Sequence, residues 1–131
     1  MTGLDTNVLV RYFAQDDARQ SAAATRLMEK TLSADNPGFV TLVTMCEIAW
    51  VLAECYGADR ERILSVLRGL LETRQIVVES SEVAWRALRA WEGTGADFSD
   101  ALIGEVAIAA GASKVLTFDK SAAKLPSFAL L

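Results

Sequence analysis

The chain has 131 residues, of which 52% are hydrophobic and 23% charged, with a formal net charge of −4. One domain without a linker is expected, long enough and apolar enough to bury a substantial core. With two cysteines and no histidine at all, zinc sites of the Cys/His type, Ser-His-Asp and Cys-His nucleophiles and histidine general bases are excluded, so any chemistry has to use carboxylates, hydroxyls, amides, lysine or arginine.

Mean hydropathy is +0.26, yet charges interrupt every apolar stretch well short of the roughly 18 residues that a membrane-spanning helix requires. The N-terminal segment has an acid at position 5 and no basic run leading into an apolar one. It does not read as a secretory signal, and a cytoplasmic protein is expected. The negative balance argues against a general nucleic-acid coat, because phosphate binding is driven by Lys/Arg contacts and counterion release, but it leaves room for a local basic patch.

In chain order, GLD (3–5) reads as a strand end and TNVLVRYF (6–13) as a short helix with Thr6 or Asn7 as its cap. Asp5 therefore stands between two segments that both look buried, and a buried acid needs a partner. DDARQSAAATRLMEKTL (16–32) predicts a second helix with Ala23, Leu27 and Leu32 among its apolar positions. Asn36-Pro37 breaks the chain before a strand in GFVT (38–41). The run 42–56 is apolar on nearly every side, which predicts a buried helix ended by Gly57. Cys46 and Cys55, nine apart in that helix, lie on opposite faces and cannot pair within it.

Asp59 caps an amphipathic helix in which Ile63, Leu64, Leu67, Leu70 and Leu71 recur at helical spacing. IVVES (76–80) is a β-branched strand, and residues 81–93 form a helix opened by Ser80 or Ser81. Gly93 and Gly95 mark a turn before a helix in 96–111 that ends at Gly111. KVLT (114–117) is the next strand, FDKSAAKL (118–125) a short helix or turn, and FALL (128–131) a last strand. Strands separated by helices imply an α/β fold, a three-layer α/β/α sandwich with a mostly parallel central sheet. There is no internal repeat and no low-complexity segment.

In such a sheet ligands bind outside the carboxyl ends of the strands. Asp5 ends the first strand, Asp119 follows KVLT by one residue, Asp97 and Asp100 open the helix leading into that strand, and Glu47 lies just over a turn into the helix after GFVT. Each acid has a plain structural reading as well. Asp97 and Asp100 suit the N-terminus of a helix, Glu47 shares a face with Thr44 and Glu54, and Asp119 suits a turn. Taken as a set, converging carboxylates would repel one another unless a cation were present. Hard divalent ions such as Mg²⁺ and Mn²⁺ take oxygen ligands and serve phosphoryl chemistry.

LDTNVLVRYF, VTLVTMCEIAWVL around Glu47, ADFSDALIGEVA around Asp100 and LTFDKSAAKL around Asp119 resemble the four acidic motifs of PIN-domain nucleases, in particular VapC-type toxins of toxin–antitoxin pairs. The resemblance covers nearly the whole chain. It implies an Mg²⁺- or Mn²⁺-dependent endoribonuclease in which Asp5, Glu47, Asp100 and Asp119 are the catalytic, metal-binding acids, with Asp97 as a further contributor. Asp5 and Asp100 are the first choice for direct metal contact. Thr6, Asn7 and Thr117 match positions whose hydroxyls and amides orient carboxylates or water. Hydrolysis of an RNA phosphate by a metal-activated water would leave 3′-hydroxyl and 5′-phosphate ends. Arg11, Lys120 and Lys124 lie near the acidic motifs, with Arg11 and Lys120 the candidates for RNA contact.

The resemblance further implies a homodimer held inactive by a cognate antitoxin packed along an apolar groove. Trp50, Trp85 and Trp91, and a ridge of Leu64, Leu67 and Leu71, are candidates for such surfaces, with core packing the alternative for each. Other acidic α/β families fit less well. A haloacid dehalogenase-type phosphatase has a second Asp where this chain has Asn7, and a response-regulator receiver has an acidic pair and a phosphoacceptor Asp where this chain has a lone Asp5 and IVVES. A PIN-like module that binds RNA or protein without cleaving is the remaining alternative.

Overall fold

Side-chain oxygens start four of the six α-helices of this chain, and Ser80, expected to open the helix that follows it, makes no such bond. In the computed structural model, which describes residues 1–131, Asp5 caps α1 (Thr6–Ala14) and accepts a hydrogen bond from the Thr6 N–H at 2.8 Å. The cap is thus one residue earlier than Thr6 or Asn7. Asp17 caps α2 (Ala18–Arg26), which runs on into a single π-helical turn, Leu27–Thr31. Thr41 caps α3 (Leu42–Tyr56) and Asp59 caps α4 (Arg60–Glu72) in the same way. At the other end of α3, Gly57 takes the left-handed conformation (φ 61°) that stops the helix without a steric penalty. Gln15 holds the equivalent left-handed position after α1 (φ 53°), its side-chain amide donating to the Tyr12 carbonyl and the Thr25 hydroxyl.

The chain gathers into two units, residues 1–79 and 80–131. In the first, β1 (Thr2–Gly3), β2 (Gly38–Val40) and β3 (Ile76–Val78) form a parallel sheet with β2 in the middle, Thr2 opposite Gly38 and Val40 opposite Val78. Leu9, Val40, Met45, Ile48, Val66, Leu67 and Leu70 are fully buried in the core. Glu79, just past β3, reaches the start of α3, where its carboxylate accepts from the Leu42 N–H at 2.9 Å. A side chain therefore satisfies one of the donors that a helix start leaves open.

The second unit contains α5 (Ser81–Glu92), α6 (Phe98–Ala109), β4 (Val115–Thr117), one 3₁₀ turn (Ala122–Lys124) and β5 (Phe128–Leu130). Here β4 and β5 pair in parallel, with Val115 opposite Phe128. Helix α5 packs on α6, where Trp91 meets Phe98 edge-on at 5.8 Å and its indole N–H donates to the Ala96 carbonyl at 2.8 Å. Gly104 lets α6 approach Ser127 and Phe128 more closely than any side chain would allow. Both units thus have the expected α/β construction, and every strand pairing is parallel. No helix is long and apolar enough to cross a membrane.

Helix α3 departs from expectation, because it is not buried all round: Val43 and Trp50 are 69% and 63% exposed. Among the tryptophans only Trp91 is core, and Trp85 is half-buried. The proposed leucine ridge also divides, Leu67 lying in the core while Leu64 and Leu71 are half-buried. Cys46 and Cys55 are both free thiols.

A Cβ at Gly38, in the middle strand, would meet Leu4, Leu32 and Ile76 at 2.6, 3.0 and 3.1 Å, whereas one at Gly3 meets nothing within 4 Å. Gly38→Ala is expected to destabilise the protein by about 1–3 kcal/mol through overpacking. Gly3→Ala serves as the near-neutral control. Urea denaturation of both variants checks this, and equal stabilities would contradict it.

Candidate active site

The acids stand where strands or turns pass into helices, but they do different work. Asp5 follows buried Leu4 and precedes buried Thr6, yet is itself exposed, so it is not the buried charge that its flanking residues suggested. Alternation explains the difference: neighbours on an extended backbone face opposite sides. One Asp5 oxygen caps α1. The Thr6 hydroxyl beside it is buried without any hydrogen-bond partner, the residue being 4% exposed. A buried hydroxyl without a protein partner is the kind of group that an ordered water or a bound species satisfies. Asn7 is exposed. Glu47 lies on the solvent face of α3 with Glu54, while Thr44 on the neighbouring turn is buried, so the stripe is not wholly solvated.

The second unit brings three acids together. Asp97 occupies the cap position of α6, but its side chain makes no capping hydrogen bond, so capping does not account for it. Asp100 lies in the first turn of the same helix and is half-buried. Asp119 follows β4, where its N–H donates to the Thr117 hydroxyl at 3.0 Å. Its Oδ1 accepts from the Ser121 and Ala122 N–H groups at 2.8 and 3.3 Å. Asp119 is therefore held as a turn residue, and the Thr117 hydroxyl meets its backbone N–H rather than its carboxylate. Burial pushes the Asp100 carboxyl above the usual carboxylate range, and the charges of Asp97 and Asp119 push it further the same way.

The charged neighbours that act on Asp100 are the acids Asp97 and Asp119, and the ion pairs Arg11–Asp16 at 3.1 Å and Arg86–Glu105 at 3.5 Å involve none of the five acids. Arg11 is engaged in a corner of the first unit, donating to Asp16, to Gln20 at 2.7 Å and to the Tyr56 hydroxyl at 3.1 Å. The Tyr56 hydroxyl in turn donates to Asp16 at 2.8 Å, and that bond, with the Arg11 charge, holds the Asp16 carboxyl below its ordinary range. The cluster accounts for Arg11 by linking α1, α2 and α3. Lys120 and Lys124 are exposed.

As placed, no three acidic or thiol side chains come close enough together to hold a metal ion. The chemistry of the donor set nevertheless suits a hard divalent cation. All donors are oxygens, and Asp97, Asp100 and Asp119 hold unneutralised like charge that such an ion would relieve. Two residues escaped the sequence reading. Glu79 as the cap of α3 had no local signal, since its partner Leu42 is far away in the chain. Phe118, inside the last acidic motif, is 81% exposed, and its only signal was an aromatic residue just beyond a strand end.

The model of the PIN domain family matches residues 4–127. The chain belongs to the PIN domain family, whose fold is the α/β sandwich and whose members are generally nucleases that use divalent metals. No curated protein matches the chain.

Between the ordinary carboxylate pKa and the raised value at Asp100, the folded state binds more protons than the unfolded state, so stability falls as pH rises across that window. The penalty is then fully present above it. Asp100→Asn is expected to raise the melting temperature at pH 7 in chelator and to flatten the decline between pH 4 and 7, as read by thermal denaturation. A lower melting temperature for the variant would make Asp100 a structural residue.

Proposed function

We propose that the protein is a metal-dependent endoribonuclease, one nuclease domain over residues 1–131, and the toxin of a toxin–antitoxin pair. The observation that carries the reading is the set of four acidic motifs in a chain that matches the family over residues 4–127, with Asp97 and Asp119 acting on the half-buried Asp100 carboxyl in the second unit.

Asp100 and Asp5 would be the first ligands for Mg²⁺ or Mn²⁺, and Glu47, Asp119 and Asp97 would complete the set. Such an ion supplies the positive charge that activates water and offsets charge developing on the leaving oxygen of a phosphodiester. The Ser121 and Ala122 N–H groups fix one oxygen of Asp119, which leaves the other for a ligand, while the Thr117 hydroxyl holds the Asp119 backbone N–H. The unpartnered Thr6 hydroxyl and the Asn7 amide, neighbours of Asp5 in the chain, would orient its carboxylate or a water. Lys120 is exposed next to Asp119 and serves an RNA phosphate, whereas Arg11 is committed to Asp16, Gln20 and Tyr56. The exposed Val43 and Trp50 on α3 support a protein partner, an antitoxin or a second copy of the chain.

The test incubates antitoxin-free protein with total cellular RNA, in Mn²⁺ or Mg²⁺ and in chelator, beside Asp5→Asn and Asp100→Asn, and maps the fragment ends. Discrete cuts bearing 5′-phosphates are expected only with metal and the wild-type chain, with both variants at background. Intact RNA from folded, metal-binding protein would overturn the reading in favour of a binding module without activity.

A further inference from the structure

Burial is the ordinary fate of a phenylalanine, yet Phe118 is 81% exposed, more than any other large apolar side chain of this protein. The backbone on either side of it is tied down. The Thr117 carbonyl accepts from the Leu131 N–H at 2.9 Å, the Thr117 hydroxyl accepts from the Asp119 N–H at 3.0 Å, and Asp119 caps the following turn. A ring displayed on so constrained a segment loses little backbone freedom when it binds something. Residues 118–120 thus present an aromatic face, a carboxylate of the acidic cluster and an exposed ammonium in succession.

We propose that the Phe118 ring stacks on an unpaired base of the RNA substrate while Lys120 contacts the adjoining backbone phosphate. This rests on the nuclease reading above. Every base has a π-face, so such a platform positions a strand without reading its sequence. Leu116, two residues earlier and 51% exposed, extends the apolar surface, and a protein is the competing occupant. RNA is favoured because the exposed Lys120 ammonium, two residues from the ring, suits a backbone phosphate, whereas lysine is depleted at protein interfaces.

The test measures binding of the full chain, in chelator, to a mixed-sequence single-stranded RNA decamer and to an abasic decamer of equal charge, by fluorescence anisotropy. Wild-type protein is expected to prefer the RNA, Phe118→Ala to weaken RNA binding by about 10- to 100-fold while leaving abasic binding alone, and Phe118→Trp to restore it. The melting temperature of Phe118→Ala should equal that of wild type. The proposal is overturned if wild type shows no preference, if Phe118→Ala retains it, or if the only change is in oligomeric state, which would assign the ring to a protein interface. Cleavage with metal is scored separately. Protein that stacks RNA through Phe118 but never cuts would sink the nuclease reading alone, and protein that cuts but binds RNA equally well without the ring would sink only this one.

Discussion

Like charges within one another's field are the constraint on which the candidate site in the second unit depends. Asp97 and Asp100 are placed by the start of α6, and Asp119 by the turn after β4, so the packing of helix and strand decides their separation and the side chains have little say. Burial and mutual repulsion push the Asp100 carboxyl up. A fold selected for stability alone would place a lysine or an apolar residue there, since removing one of several repelling charges relieves the strain. A divalent ion would relieve it equally and keep the carboxylates, which is why the arrangement reads as a binding site.

The caps show how the same residue type divides between structure and chemistry. Asp17, Thr41 and Asp59 each accept a hydrogen bond from an N–H in the first turn of their helix and have nothing further to explain. Asp97 holds the equivalent position on α6 and makes no such bond, and Asp5 and Asp119 each spend one oxygen on a backbone N–H and keep the other. Of these acids, Asp97 is the one that holds a cap position without capping it.

Exposed apolar side chains carry the second theme. Trp50 and Val43 on α3 and Phe118 beside Asp119 face solvent at positions where the pattern of the chain would have allowed burial. The cost of leaving a large apolar side chain in water is about 1.5–3 kcal/mol each, and protein and RNA partners are the natural means of recovering it. Phe118 differs from the other two in having charged residues next to it and a fixed backbone beneath it.

The sequence by itself determined the helices, their stops at Gly57 and before Gly111, the strand candidates and the identity of the acids, because caps, periodicity and strand ends are local properties read over a few residues. It also carried the family, through four motifs spread along the chain. Tertiary structure alone decided which acids share a field, since the repulsion among Asp97, Asp100 and Asp119 depends on where β4 ends relative to the start of α6. It decided exposure for the same reason. Asp5, Trp50 and Leu64 all belong to or adjoin apolar stretches, and only the packing of neighbouring elements settles which face of a helix or strand meets water. Arg11 is the clearest case, for its partners Gln20 and Tyr56 are brought to it by the packing of α2 and α3, at separations along the chain that no local pattern encodes.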